Sequence, residues 1–293
     1  MVEQMIGTGI RAADAIRAAV QVLRSSGIDS AERDARSLVA AAAGLSSLDL
    51  MREPERPLTE AEARRAHEML DRRRAREPVS RILGFREFYG RNFKVTPATL
   101  DPRPETELLI DAALELADGA GWREREISIL DIGTGTGCIL LTLLCELPLA
   151  RGTAIDIDPA TLEVAKENAR SLDIAHRVSF VCEDGAAAVE GKFDLLVSNP
   201  PYIPSRDIAT LEPEVRDHDP RLALDGGEDG LSFYRKIAGR LRYVVPSGWV
   251  MFEVGAGQAE SVAHLLAPYA CGKIRLWTDL GGHARCVAAP TLF

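Results

Sequence analysis

Four consecutive residues, Asn199-Pro200-Pro201-Tyr202, have types and spacing suited to one particular chemistry. They follow an apolar run at residues 193–197 that reads as a buried strand. Two prolines stop the strand, and each removes a backbone donor. The strand end therefore presents a rigid turn with one side-chain amide, free carbonyls and one aromatic ring. The Asn199 amide oxygen and the Pro200 carbonyl are both acceptors, and two acceptors at fixed separation suit a planar NH2 group. The Tyr202 ring beside them offers that group a face to stack on. The chemistry this suits is methylation of an unreactive nitrogen. An amide or aromatic-amine lone pair is delocalised, and accepting both N–H hydrogens returns charge to the nitrogen. No strong base is needed, because the proton becomes acidic once the methyl is attached. The same four residues would also serve as a plain turn after a strand.

A second constellation supplies a donor for such a reaction. Asp131-Ile132-Gly133-Thr134-Gly135-Thr136-Gly137 follows a predicted strand at residues 127–132 and opens a predicted helix at 138–147. Glycines there allow positive φ and close backbone approach to a ligand. A dinucleotide fingerprint requires GxGxxG, and its third glycine falls on Cys138, so the pattern here is GxGxG. Asp156 ends the next predicted strand, 23 positions after Gly133, where a carboxylate accepts from both ribose hydroxyls. Asp184 ends the third strand and is placed to accept from an adenine amine, with Gly185 next to it. A nucleoside site whose glycine loop faces no pyrophosphate fits S-adenosylmethionine.

The elements that position these residues alternate regularly. After residue 127 the reading gives strands at 127–132, 152–157, 178–182, 193–197 and 249–254. Helices fall at 138–147, 159–172, 231–243 and 258–266, and a closing strand pair at 274–277 and 285–288. That is a doubly wound α/β domain on a mostly parallel sheet. The 203–230 loop is long for a compact domain, and such loops are usually functional. Residues 1–83 read as a small helical bundle, with capping-box signatures at Asp29/Glu32 and Thr59/Glu62. The run Arg72-Arg73-Arg74-Ala75-Arg76 reads as a solvated helix end, with a contact for RNA or an acidic partner as the alternative. Residues 84–98, with aromatic residues about Gly90, read as a β-hairpin linker, and 99–293 as the catalytic domain. Asp101 and the Pro102-Arg103-Pro104-Glu105-Thr106-Glu107 stretch lead into its first helix.

Composition bounds the partners. The chain has 293 residues, 46% hydrophobic and 27% charged, the balance of an ordinary soluble globular protein. The net charge of −9 is uneven: residues 1–83 hold 14 Arg and no Lys against 13 acids, so the remainder carries −10. An acidic catalytic half argues against wrapping duplex DNA. No apolar run reaches membrane length and no secretory signal opens the sequence. Cys138, Cys145, Cys182, Cys271 and Cys286 show no CxxC spacing. They read as reduced core residues of a cytoplasmic protein with no metal site.

The Asn199–Tyr202 turn with the Asp131–Gly137 loop resembles S-adenosylmethionine-dependent amino-methyltransferases. Arg86-Glu87-Phe88-Tyr89-Gly90, Pro102–Glu107, Glu212-Pro213-Glu214-Val215-Arg216-Asp217 and the following Leu222–Leu231 segment narrow the likeness. Together they resemble the glutamine methyltransferases of peptide chain release factors (HemK type) over nearly the whole chain.

The resemblance implies the Rossmann-like class I methyltransferase fold, with a seven-stranded sheet and an N-terminal helical domain for docking substrate. It implies N5-methylation of the glutamine in the Gly-Gly-Gln loop of class I release factors, with S-adenosylhomocysteine as product. On it, Asp131, Gly133, Thr134, Gly135, Thr136, Gly137, Asp156, Asp184, Gly185 and Asn199 are expected at the cofactor. Asn199, Pro200, Pro201, Tyr202, Arg103 and Glu105 are expected at the substrate, with Asn199, Pro200 and Tyr202 catalytic. The chain departs from the family at Asp101, usually apolar, and at Gly185, where some members stack an aromatic on adenine. A cytoplasmic monomer acting on a release factor is the expectation. The alternatives are a ribosomal-protein glutamine methyltransferase and a DNA adenine-N6 methyltransferase.

Overall fold

The computed structural model describes residues 6–185 and 191–293. They fall into two compact units, Met1–Gly84 and Phe85–Phe293. The division comes at Gly84, whose positive φ of 80° ends the last helix of the first unit.

The first unit is helical: α1 (Ala12–Ser25), α2 (Ala31–Ala42), α3 (Ser47–Arg52), α4 (Glu60–Arg74) and α5 (Val79–Leu83). Leu23, Leu38, Val39, Leu58 and Leu70 share one core, each from the apolar face of its segment. The Thr59/Glu62 capping box is made, and Glu62 also receives Arg56. That hydrogen bond, the largest contribution, holds the Glu62 carboxyl down at about 2. The box expected at Asp29/Glu32 is not made. Ser30 is the N-cap, its hydroxyl donates to Asp34, and Glu32 pairs with Arg24 instead.

The arginine run departs further from expectation, because the end of α4 is not simply solvated. Arg73 is buried against Asp34 of α2 at 2.9 Å. Arg72 grips Glu77, and Arg76 adopts φ 69° and donates to the Ser26 and Gly27 carbonyls. These side chains tie the α4 end to the α1–α2 corner and to α5. Such a role follows from tertiary placement, not from local charge.

In the second unit, β1 (Phe85–Phe88) and β2 (Arg91–Lys94) form an antiparallel hairpin. Tyr89 (φ 51°) and Gly90 (φ 73°) make its two-residue turn. Phe88 and Phe93 meet edge to face and are buried with Leu109, Leu140 and Leu144, so the hairpin shares this unit's core.

The main sheet holds β3 (Ser128–Ile132), β4 (Arg151–Asp156), β5 (Val178–Cys182), β6 (Leu195–Ser198), β7 (Ser247–Glu253), β8 (Arg275–Thr278) and β9 (Ala284–Leu292). Their order is β5-β4-β3-β6-β7-β9-β8, parallel through β7, with β9 antiparallel to both of its neighbours. The central β6 is buried along its whole length, which accounts for its apolar residues Leu195, Leu196 and Val197. Helices α6 (Glu107–Gly119), α7 (Cys138–Glu146) and α8 (Pro159–Ser171) come from the first half. Then follow α9 (Pro213–Arg216), α10 (Ser232–Ala238), α11 (Leu241–Val244) and α12 (Ala259–Leu266).

Three details differ from the sequence reading. The helix expected over 231–243 is two helices, parted at Gly239 and Arg240. The last strand runs on through Pro290, whose carbonyl accepts from Cys271 on the side away from β7, so β7 misses no N–H there. Cys182 and Cys271 are exposed, whereas Cys138 and Cys286 are core residues as expected.

The strand order reverses direction between β3 and β6. Ligands of open α/β sheets bind at the carboxyl ends beside such a switch point. Asp131, Asp156, Asn199 and Glu253 all lie at or just beyond strand ends on that edge.

Candidate functional site

The loop after β3 is built from inside outward. Gly133, Gly135 and Gly137 have φ of 72°, 57° and 81°, a conformation L side chains rarely adopt. Thr134 donates to Asp131 Oδ2 at 2.7 Å, and Thr136 accepts from the Cys138 N–H at 3.3 Å. Asn168 of α8 donates to the Thr136 carbonyl at 2.9 Å. A Cβ on Gly137 would come within 2.9 Å of Leu141, whereas one on Gly133 or Gly135 meets nothing within 4 Å. So Gly133 and Gly135 face open space. Asp131, Thr134, Thr136 and Gly137 are buried within the loop and shape it. Burial pushes the Asp131 carboxyl up to about 7.

Asp156 closes the loop from β4. Its Oδ2 accepts from Gly135 N–H at 3.0 Å and its Oδ1 from Asp158 N–H at 3.1 Å. Burial is the main influence on this group and raises its pKa. Its remaining lone pairs face a cleft of about 1010 Å³, lined also by Gly133, Gly135, Asp184, Gly185 and Asn199. Leu100, Ile157 and Phe233 give that cleft apolar walls. Four carboxylates line it: Asp156, Asp158, Glu183 and Asp184. Among its described lining residues Lys236 is the only cation, and it is paired with Asp184 at 2.5 Å. An acidic cleft of this kind repels a pyrophosphate and suits a cationic ligand carrying a ribose diol.

A second cavity, of about 880 Å³, adjoins the first and shares Leu100, Asn199 and Ala223 with it. Arg103, Glu105, Tyr202, Glu253 and Arg285 line it. Asp219 holds Arg103, and Asp279 holds Arg285 at 3.0 Å. Of the Asn-Pro-Pro-Tyr residues, Pro200 and Pro201 line the first cleft, Tyr202 the second cavity, and Asn199 both. Asn199 Nδ2 donates to Thr106 Oγ1 at 3.3 Å, which leaves its Oδ1 for a ligand. Asp101 is buried, with no hydrogen-bond partner for its Oδ1 among the described residues.

The turn is set by its neighbours. Ser198 donates to the Ile132 carbonyl at 2.6 Å, and Gln258 to the Tyr202 carbonyl at 2.9 Å. Three glycines pack on it so closely that a Cβ would lie 2.8 Å from Tyr202 Cα at Gly226. At Gly230 it would lie 2.3 Å from the Tyr202 oxygen, and at Gly255 3.0 Å from the Tyr202 ring. Burial pushes the Tyr202 phenol up to about 12, so it stays neutral. The long 203–230 loop folds back through a bridge between Ile203 and Asp225.

Sequence reasoning missed Thr106, Glu253 and Arg285. The signal for Glu253 was present: it is an acid closing an apolar strand, as Asp156 is. Nothing in the sequence pairs Thr106 with Asn199, because 93 residues separate them.

Relatives resolve what the geometry leaves general. A release factor glutamine methyltransferase of Cereibacter sphaeroides is 47% identical over 96% of this chain and 98% of its own length. The chain belongs to the release factor glutamine methyltransferase family. Members from Rhodospirillum rubrum (47% identical, 91% of this chain and 81% of that one) and Bradyrhizobium diazoefficiens (46%, 96% and 95%) agree. The family model of the PrmC N-terminal domain matches residues 14–84, and that of the methyltransferase small domain residues 106–214.

Among solved structures, the hMettl16 catalytic domain in complex with a MAT2A 3'UTR hairpin superposes with TM-score 0.56 at 17% identity, covering 80% of this chain and 84% of that one. A methyltransferase from Pyrococcus furiosus gives TM-score 0.50 at 18% identity, with 70% and 91% covered. Both likenesses concern the fold, which is that of class I S-adenosylmethionine-dependent methyltransferases. As a member of its family the chain is a protein methyltransferase, and the family supports neither the ribosomal-protein nor the DNA alternative.

Proposed function

We propose that this enzyme methylates the side-chain nitrogen (N5) of the glutamine in the Gly-Gly-Gln motif of class I peptide chain release factors. The observation that carries the reading is the position of Asn199, which lines both the acidic cleft and the second cavity where the two adjoin. Family membership supports the substrate class, and the second cavity beside Asn199 supports this position for the glutamine.

The first cleft fits S-adenosylmethionine in the chemistry of its donors. Gly133 and Gly135 leave room for close approach, Asp156 offers lone pairs to a ribose diol, and the acidic lining favours a sulfonium. Asp184 and Gly185 take the adenine end, where Leu100, Ile157 and Phe233 supply the apolar surface that an aromatic at position 185 would otherwise give. When bound, S-adenosylmethionine supplies an electrophilic methyl group and departs as S-adenosylhomocysteine, the N–C bond forming as the C–S bond breaks and its electron pair passes to sulfur.

Asn199 Oδ1 and the Pro200 carbonyl accept the two amide hydrogens of the glutamine, and Tyr202 packs on its plane. Arg103 and Glu105 meet the surrounding peptide. The new N-methyl nitrogen sheds a proton without a strong base. Placement supplies most of the rate, since two reactants are held near attack distance. The helical unit grips the release factor. We assign the enzyme to the cytoplasm as a monomer that binds no DNA, in keeping with its net charge of −9.

Incubation with methyl-labelled cofactor and a candidate release factor, followed by peptide mapping, tests this. Label on the Gly-Gly-Gln glutamine is the expected result. Label elsewhere, or none on any release factor, overturns it.

A further inference from the structure

An asparagine amide rotated by half a turn has the same shape with donor and acceptor exchanged, and only its partners decide between the two. In the wrong rotation Asn199 would turn its NH2 toward the substrate NH2, and neither would accept. Something must fix the rotation, and Thr106 alone cannot, because a hydroxyl both donates and accepts.

Glu253 supplies the missing direction. Ser198 of β6 and Phe252 of β7 are paired, so Asn199 and Glu253 are the next residues along adjacent strands. Glu253 is 4% exposed, lines the second cavity beside Asn199, and has no partner for Oε2 among the described residues. The carboxyl lies close enough to Thr106 and Asn199 for both to favour its anion. A carboxylate only accepts. With its proton turned toward Glu253, the Thr106 hydroxyl donates to the carboxylate and offers its lone pair to Asn199 Nδ2, which stands 3.3 Å away.

We propose that Glu253 is a positioning residue, which through Thr106 locks the Asn199 amide with its oxygen toward the substrate. This rests on the reading of Asn199 as the acceptor of the glutamine amide. It also assigns a purpose to a buried carboxylate that methyl transfer itself does not consume.

The groups facing Glu253 are Glu105 from the segment before α6, Arg285 and Cys286 of β9, Tyr202 of the turn, Tyr234 of α10 and Cys138 of α7. Arg103 lines the same cavity. Burial outweighs the help of Thr106 and Arg285 and pushes the Glu253 carboxyl up to about 7. The locking form is the anion. Turnover therefore rises with pH through about 7, because the protonated acid donates and the amide rotation is no longer fixed. Asp131 titrates in the same range beneath the glycine loop, so turnover is read at saturating cofactor, where its effect on cofactor binding drops out.

The test is steady-state methylation of an intact release factor by wild type, Glu253→Gln and Thr106→Val from pH 5.5 to 9, beside cofactor titration. Glu253→Gln should lower kcat at pH 8 at least about tenfold, with release-factor KM and cofactor Kd within about threefold, and should lose the acidic limb. Thr106→Val, which keeps the carboxylate but breaks the relay, should likewise lower kcat with KM and Kd kept and flatten the acidic limb. It decides alone if Glu253→Gln does not fold.

Three results overturn the proposal: kcat of Glu253→Gln near wild type, a lower kcat with the acidic limb intact, or a change confined to KM. A wild type that methylates no release factor fails the functional reading instead, and the two failures are distinct.

Discussion

At the scale of single residues, the sequence located chemistry better than it located contact. Asp156 and Asn199 were legible because an acid or amide at a strand end of this sheet type faces the ligand edge. Asp131 stands at a similar strand end yet points inward, since Thr134 captures it, and no spacing rule reveals that. Glu253 closes an apolar strand as Asp156 does, but its neighbours Thr106, just before α6, and Asn199, just after β6, lie far off in sequence. Asp156→Ala should weaken S-adenosylhomocysteine binding by at least about tenfold. It removes the acceptor for two ribose hydroxyls and leaves Gly135 and Asp158 N–H groups without one, at roughly 1–3 kcal/mol for buried unsatisfied groups. Calorimetry reads this directly, and unchanged affinity would take Asp156 out of the site.

Elements show how much of the site is held from outside the motif. The Asn-Pro-Pro-Tyr turn has its shape because Gly226, Gly230 and Gly255 allow other backbone to press against it. The Leu222–Leu231 segment was legible as a motif, but its packing partner was not. Gly230→Ala places a Cβ 2.3 Å from the Tyr202 oxygen at a φ of 76°. It should cost roughly 1–3 kcal/mol of strain and at least about tenfold in turnover, with cofactor affinity kept. Thermal melts beside activity measurements check it, and a fully active Gly230→Ala would show that the turn tolerates displacement. In the helical unit, Arg73→Ala leaves the buried Asp34 with only the Ser30 hydroxyl and the exposed Arg33, and should cost roughly 1–3 kcal/mol. Urea unfolding measures this. A loss below about 1 kcal/mol would return the arginine run to the role of a solvated helix end.

Across the whole molecule, the strand–helix alternation made the sheet legible, because burial on both faces leaves β3 and β6 apolar but for Asp131 and the terminal serines. The split of the 231–243 helix and the passage of β9 through Pro290 were not legible, since each depends on neighbours far along the chain. The two units have separate cores, and every residue placed at either cavity belongs to the second. A chain lacking residues 1–84 should therefore keep cofactor affinity and lose most activity on intact release factor. Full activity on intact factor would refute the docking role of the helical unit. The claim at the centre is that Asn199 holds the glutamine amide for transfer, and single-turnover methylation of a release factor by Asn199→Ala, beside cofactor titration, tests it most directly. Cofactor affinity should stay within about tenfold of wild type, or roughly 1.4 kcal/mol, and the transfer rate should fall by at least about 10²-fold. Transfer at near the wild-type rate would contradict it, leaving the turn as structure alone.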